Sequence, residues 1–540
     1  MDEERITVRI MGEEDECPGY GIDRETGKPF STGEMKIIID GALMLMVPED
    51  ERYRFLNIRM TLMNAGQAYY EGAGEGGKIE YASPECSGPY ELARYVTAGM
   101  RIMTNGVESY LRDHSDIIFR AYKTNCGSDI RSEQVAPTCG SHANYLIPRR
   151  VTLDELKEKL VPFMASRWGV IGNGWLAYWE GSLYFLFSQR SQSMADLPIE
   201  SGNTTMNPLK PFLNTRDEPH ANKDRWRRLH DISGNHNCSE QQIVLKHGTM
   251  DCVLAAIEDG FLIPPPAPAD PDCPDYTHAS KRFNQDIACI DGILTTDGTR
   301  WTWLAYQRYY AAQCKRYFAA YPEALTDERA RMLALWEHTL DLCEAQDFAS
   351  LARYLDWTIH LWHFVRPAVK KLGFDWRVIF ASGVWPGVPA EEKIASGRGT
   401  FSLRERLLQI IIEYNDINIA RSLYGLLLGR GAIDRIFIDQ EIQDAVENPP
   451  AVRPTWRNKA IRWMRTHEPP GYLRTLYDIG WSKISIKDMR RDNPQQYRYG
   501  YAVNEDPKNG DFDGEAFERA LLTEKEVTYS TDPNNYCDEE

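Results

Sequence analysis

Apolar and polar residues alternate from Ile6 to Met11 (Ile-Thr-Val-Arg-Ile-Met), and this period of two predicts a strand. Gly12-Glu-Glu-Asp-Glu16 follows it at once. A second strand is expected from Ile79 to Cys86. From Trp175 to Arg190 two aromatic, alternating arms flank Glu180-Gly181, which predicts a hairpin with Leu183, Phe185 and Phe187 on one face. Residues 264–275 open with Pro-Pro-Pro-Ala-Pro-Ala-Asp-Pro and read as a stiff linker or insertion loop. The second half is more helical. Met332, Trp336, Leu340 and Cys343 recur at helical spacing between Thr326 and Phe348. Ser402 and Glu405 have the spacing of a capping box, and Gly429 and Gly431 supply the stop of the helix they open. The expected divisions are a large unit over 1–431, a small mixed domain over 432–505 and an acidic, frayed tail over 506–540.

Composition narrows the class. Of 540 residues, 42% are hydrophobic and 26% charged, which excludes disorder as the main state. The net charge of -17 disfavours wholesale binding to nucleic acid. No apolar run approaches the ~20 residues that span a bilayer. The best, Gly41 to Val47 and Leu407 to Ile412, are short, so no membrane association is expected. The acidic start, Met1-Asp-Glu-Glu-Arg5, is unlike a secretory signal. The 11 cysteines are scattered without a Cys-x-x-Cys pair, which points to reduced thiols and a cytoplasmic location.

Four clusters could carry chemistry. Glu14 and Glu16, two apart in extended chain, share a face, and paired carboxylates are hard oxygen ligands for Mg²⁺; a solvated acidic turn is the alternative. Glu71 to Cys86 puts a glycine-rich loop ahead of a strand with Glu80 and Glu85, a pattern also common without function. His142, near Asn144, reads first as a structural histidine. The densest cluster is Asn214-Thr-Arg216-Asp-Glu-Pro-His220, followed by Arg227-Arg228-Leu-His230. Guanidinium groups bind phosphate oxygens in a planar, bidentate way; solvated surface charge is the alternative. The chain has no Walker A sequence, no Gly-x-Gly-x-x-Gly after a strand and no Gly-x-Ser-x-Gly. A nucleotide would therefore be held by carboxylates, metals and arginines.

Several motifs stand in order: Arg9-Ile-Met-Gly12-x-Glu14-x-Glu16, Glu80-Tyr-Ala-Ser-Pro-Glu85-Cys86, Lys123-x-Asn125, His142-x-Asn144-Tyr-Leu146, Ser188-Gln-Arg190, Asn214 to His220, Arg227 to His230 and Leu245-Lys-x-Gly-Thr249. Glu344 to Phe348, Asp356-Trp357, Tyr414-x-Asp416-Ile417 and Asp439 to Pro450 follow. In these the chain resembles the Pup ligases and Pup deamidase/depupylases, the proteasome accessory factor A family, within the glutamine synthetase-like carboxylate–amine ligases. The resemblance implies an α+β fold: a curved antiparallel sheet cradle backed by helices, with a small C-terminal domain. It implies ATP and Mg²⁺ as cofactors. Glu14, Glu16, Glu80 and His230 would hold metal, and Lys123, Asn144, Arg216 and Arg228 would bind nucleotide.

The implied reaction phosphorylates a glutamate side chain of a Pup-like small protein modifier, and a lysine amine then displaces phosphate to form an isopeptide bond. Phosphorylation turns a poor electrophile into one with a leaving group. The ammonium, at pKa ~10.4, must first lose a proton. The family base is an aspartate; the matching residue is Glu71, one methylene longer. Ala143 stands where the family has a glutamate, an acidic contact expected beside the chemistry, and Asn415 replaces a histidine. The short interval between Glu16 and Glu71 suits the ligase branch, because depupylases carry a long extra loop there. Two other readings stand beside the ligase. One is a diverged relative that activates a small carboxylic acid or acts as a phosphotransferase or deamidase. The other is a non-catalytic scaffold, against which the retained acidic cradle argues.

Overall fold

In the computed structural model the residues described are 5–46, 60–72, 77–125, 139–179, 182–196, 210–214, 222, 224–371, 375, 384–385, 393–396, 399–451, 454–466, 475–479, 481, 483–488, 497–502 and 527–528. The central strand is β1 (Met11–Asp23). Around it lie β2 (Met60–Thr61), β3 (Gln67–Glu71), β4 (Lys78–Ala82), β5 (Ile117–Ala121), β6 (Ser141–Pro148), β7 (Leu213–Asn214) and β8 (Trp226–Asp231). They form one eight-stranded sheet in the order β7-β8-β6-β1-β4-β3-β2, with β5 paired to the second half of β1. Every pairing in it is antiparallel.

The first strand does not lie where alternation put it. Pairing starts at Met11 and runs through the acidic residues, so Glu14 and Glu16 sit within the strand rather than after it. The run before it is diverted by Arg9, whose guanidinium is buried against α3 (Glu240–Glu258): Nε donates to Asp251 at 2.7 Å, and Nη1 and Nη2 to Glu258 at 2.6 and 2.8 Å. The strand expected over Ile79–Cys86 is observed as β4, ending at Ala82, with Cys86 bridging back to Met11.

Helices cover one face of the sheet. α1 (Thr32–Met44) starts at a Ser31–Glu34 capping box and packs on α2 (Pro89–Asp113). α2 also contacts α3, β1, β4 and β5, and α3 lies on β6. α4 (Trp303–Ala320) and α5 (Asp327–Glu344) form the next layer on α3. As expected, α5 buries Met332, Trp336, Leu340 and Cys343. The aromatic hairpin pairs Trp175–Trp179 with Ser182–Leu186; Phe185 and Phe187 are buried, while Glu180, Gly181 and the Leu183 side chain lie outside what is described.

The Ser402–Glu405 capping box is present and opens α6 (Leu403–Tyr414), but that helix stops well before Gly429. The chain is drawn onto the edge of the sheet: Lys123 N donates to Asn415 O at 2.7 Å and Ile417 N to Ala121 O at 3.1 Å. Ser422 then caps a separate α7 (Leu423–Gly429), with Gly431 following at φ +67°. α8 (Asp439–Glu447) packs on α2. α9 (Thr455–Thr466) precedes a sheet of Thr475–Ile479, Lys483–Asp488, Tyr497–Ala502 and Val527–Thr528. Its last strand lies in the segment expected to be a frayed tail.

Beneath the sheet, Glu13 and Asp15 are fully buried. The Lys246 ammonium lies 2.7 Å from Glu13 Oε2 and also donates to Ser141 Oγ at 2.8 Å, while His247 Nε2 lies 2.5 Å from Glu13 Oε2. Burial would raise the Glu13 carboxyl, but Lys246 and His247 outweigh it and hold it well below the usual carboxylate range. Lys246→Met is expected to cost about 3–5 kcal/mol in urea unfolding, because it leaves a buried carboxylate without its ammonium and with only the His247 ring against it. A loss under about 1 kcal/mol, the scale of an exposed pair, would contradict this account.

Candidate active site

The register decides which side chains meet. Glu16 stands opposite Glu80, and Glu14 opposite His142. Asn144 is opposite His230, Tyr69 opposite Glu80, and Glu71 opposite Lys78. Directly opposed residues share a face, and so do residues two apart along a strand. Glu14, Glu16, Glu71, Glu80, His142, Asn144, Arg228 and His230 therefore all project from the face that the helices leave uncovered. Glu13, Asp15 and Ala143 project from the other.

Glu14 is the hub. Asn144 Nδ2 donates to its Oε1 at 3.2 Å, and Arg228 Nη1 lies 3.7 Å from the same oxygen. His230 Nε2 and His142 Nδ1 lie 3.7 and 3.9 Å from Oε2. Arg228 Nη1 also donates to Asn144 Oδ1 at 3.2 Å, which fixes the amide. One ligand-type atom from each of Glu14, His142 and His230 falls within 4.8 Å of the others. Arg190 Nη2 sits 3.2 Å from His142 Nε2 and occupies that lone pair, which places the proton on Nδ1. His142 therefore faces Glu14 as a neutral ring. Its pKa is pushed well below the ordinary imidazole value by burial, then by Arg190 and Lys78.

Glu16 accepts from Gly140 N at 2.6 Å and from Lys78 Nζ at 3.2 Å. Burial alone would lower the Lys78 ammonium, and Glu16 reverses this and holds it above its usual value. Tyr69 Oη donates to Glu80 Oε1 at 2.6 Å. Burial, with Glu16 and Glu14 nearby, pushes the Glu80 carboxyl well above its ordinary value. Three carboxylates thus converge where two cationic side chains do not fully offset them, a surplus suited to a hard cation.

Next to Glu14 a cavity is bounded by Gly12, Ser83, Asn144, Arg228 and Trp481. Trp481 comes from the C-terminal segment, and Arg457 of α9 anchors it. The buried Arg457 guanidinium donates to Trp481 O and Glu85 Oε1, both at 3.1 Å, to Ala65 O at 2.9 Å, and to Glu85 Oε2.

Three expected positions fall elsewhere. Lys123 does not reach this face: it is buried behind the sheet, 3.1 Å from Asp15 Oδ2. Ala143 likewise lies in the core among the helices, opposite Glu13, so the missing glutamate is not a gap beside the chemistry. Asn415 is buried behind the sheet as well, accepting from Cys238 Sγ at 3.3 Å. Arg216 lies outside the described residues. Lys78, Tyr69 and Arg190 carry roles that sequence patterning did not assign; the one signal for Lys78 was its place two residues before Glu80 on the same strand face.

The family model described as Pup-ligase protein matches residues 28–380 and 392–485. The chain belongs to this Pup-ligase family. The match takes in Glu71, Glu80, Asn144, Arg216, Arg228 and His230, while Glu14 and Glu16 lie before it. The Pup–protein ligase of Micrococcus luteus is 30% identical over 494 residues, 89% of this chain and 92% of that one. That of Rothia mucilaginosa is 29% identical over 469 residues, 82% and 86% of the two chains. A Pup deamidase/depupylase of Mycolicibacterium smegmatis is 30% identical over 413 residues, 75% and 72%. Among solved structures, the complex of the prokaryotic ubiquitin-like protein Pup with its ligase PafA matches at TM-score 0.73 and 24% identity, covering 96% of this chain and 93% of that one. The Pup ligase PafA in complex with ADP matches at TM-score 0.66 and 23% identity, covering 88% and 92%. These structures establish the family's α+β fold for this chain. Among the described residues no helix is long and apolar enough to cross a membrane, and the nine cysteines described are free thiols.

Proposed function

We infer that the chain is an ATP-dependent ligase that joins a glutamate side-chain carboxylate of a Pup-like modifier to a lysine amine. The observation that carries this is the shared face of Glu14, Glu16, Glu71, Glu80, Asn144, Arg228 and His230, set by the strand register within a fold that the family's ligases share.

The donor set fits Mg²⁺: Glu14, Glu16 and Glu80 would hold it with His230 beside them, and the raised Glu80 carboxyl marks the charge such an ion would balance. When bound, Mg²⁺ neutralises charge on the transferring phosphoryl group. Arg228, already held by Asn144, presents its guanidinium to the nucleotide phosphates, and Arg216 is assigned the same role from the family resemblance. Trp481 bounds the adjoining cavity. Glu71, at the end of β3, accepts the proton that the attacking ammonium must shed.

The raised Glu80 carboxyl gives a pH dependence with a definite sign. The folded state binds a proton that the unfolded state has released, so without cation stability falls as pH rises through the interval above the ordinary carboxylate value. A cation held by Glu80 would require its carboxyl ionised, and so would compete with that proton. The rise in Tm on adding Mg²⁺ should be larger at pH 8 than at pH 6; equal shifts would remove Glu80 from the ligand set.

One assay tests the function. The protein is incubated with Mg-ATP, a modifier or peptide ending in glutamate or glutamine, and a lysine acceptor. ADP together with a condensed product supports the ligase. Ammonia released from the glutamine form supports the deamidase reading, which the 30% identity to the Mycolicibacterium smegmatis deamidase/depupylase keeps in view. Intact ATP with neither product would overturn both.

A further inference from the structure

The three carboxylates of the cradle are not equally provided for. Both oxygens of Glu16 are taken: Lys78 Nζ donates to Oε1 at 3.2 Å and Gly140 N to Oε2 at 2.6 Å. Around Glu14 the charged and ring nitrogens stand further off, Arg228 and His230 at 3.7 Å and His142 at 3.9 Å, beyond hydrogen-bond range. Among the described residues the Glu80 side chain accepts from the Tyr69 hydroxyl and has no ion pair.

The ammonium on Glu16 comes from within the site. Lys78 lies two residues before Glu80 on β4 and shares its face, opposite Glu71 on β3. Its side chain reaches instead to Glu16 on β1, and the two side chains are 11% and 12% exposed. At that burial salt screens the pair much less than it screens a surface pair.

An ammonium fixed in this place acts on a divalent ion in two ways. It already supplies the charge that Glu16 calls for, and it repels any further cation drawn to the same oxygen. Glu14 and Glu80 have no such contact, so their side of the cradle holds the unbalanced negative charge.

We propose that Lys78 is a tethered counter-cation: its ammonium fills, at Glu16, the place of a second divalent ion, so the nucleotide-free cradle takes one such ion, on the side of Glu14 and Glu80, and not two. This rests on the reading of the cradle as a Mg²⁺ site. Lys78 acts through Glu16 and is a positioning residue.

The test counts ions on the full chain without nucleotide. Mn²⁺ is the probe, because it takes the same oxygen ligands as Mg²⁺ and its free form is measured by electron paramagnetic resonance. The parent binds one equivalent, with a Kd below about 1 mM. Lys78→Met and Lys78→Gln each bind a second equivalent, and adding Glu16→Gln removes the second while keeping the first. Lys78→Arg, which retains the charge, stays at one. Mg²⁺ raises Tm more in Lys78→Gln than in the parent, since the ion there replaces a lost ammonium. A salt bridge that served stability alone would lower the Tm of Lys78→Gln and add no ion, and that result overturns the proposal. So does a parent that binds two equivalents, a count that needs no variant to fold. Either result leaves the cradle standing. A folded parent that binds no Mn²⁺ overturns the cradle and the proposal together. None of these readouts depends on ligase activity.

Discussion

Glu14→Ala is expected to abolish ADP formation, a fall of about 10³-fold or more in kcat/KM, while the chain still folds. The size of the effect follows from position. Four side chains on two strands, β6 and β8, converge on this one carboxylate: Asn144 at 3.2 Å, Arg228 and His230 at 3.7 Å and His142 at 3.9 Å. Removing it deletes a cation ligand and releases the amide that holds Arg228 toward the phosphates. Its side chain is 21% exposed, so the orphaned donors can turn to water and the penalty falls on catalysis more than on stability. An ADP-coupled assay across a Mg²⁺ titration, with Tm as the folding control, gives the answer. A variant turning over ATP at the parent rate would show that the cradle is not the phosphoryl-transfer site.

Glu71→Gln separates the two half-reactions. The amide keeps the size of the side chain but cannot take a proton, so transfer to lysine should fall by about 10²–10⁴-fold. Nucleotide affinity should be almost unchanged, since Glu71 lies at the end of β3, opposite Lys78 and two positions beyond the Tyr69–Glu80 pair. The informative control is the acceptor. Hydroxylamine is already neutral at pH 7 and needs no base, so it should recover most of the lost product. If lysine transfer in the variant matches the parent, or hydroxylamine fares no better than lysine, Glu71 is not the base.

Much of the site was legible because strands obey a period of two. Glu14 with Glu16, and Arg228 with His230, share a face for that reason alone, and the resemblance tied them to one family. Partners that approach from other strands were not legible. Lys78 meets Glu16, and Arg190 meets His142, through register and loop placement that local pattern does not encode. Lys123 shows the converse error. It stands in a family motif and carries the charge a nucleotide would want, yet Asp15 claims it on the far side of the sheet. The first strand was misplaced because its inward positions are acidic. Glu13 and Asp15 look solvated until Lys246, His247, Lys123 and His236 are known to lie against them. The helix after Ser402 was drawn too long because no glycine or proline interrupts the sequence before Gly425, while its backbone is diverted to the edge of β5. Arg216 lies outside the described residues, and its part rests on the family resemblance.

β1 carries acid on both of its sides, and that bears on how the chain finds its shape. In most strands a slip by one position would drive apolar groups into solvent, and this cost selects the alignment. Here a slip exchanges Glu13 and Asp15 for Glu14 and Glu16, and burial of oily side chains barely distinguishes the outcomes. The selection falls instead to Lys123 and His236 against Asp15 and to Lys246 and His247 against Glu13, and the His247 contact spans 234 positions of chain. A nascent polypeptide halted before α3 would possess the strands and the partners of Asp15 but lack those of Glu13, so the alignment is fully specified only after the later helix arrives.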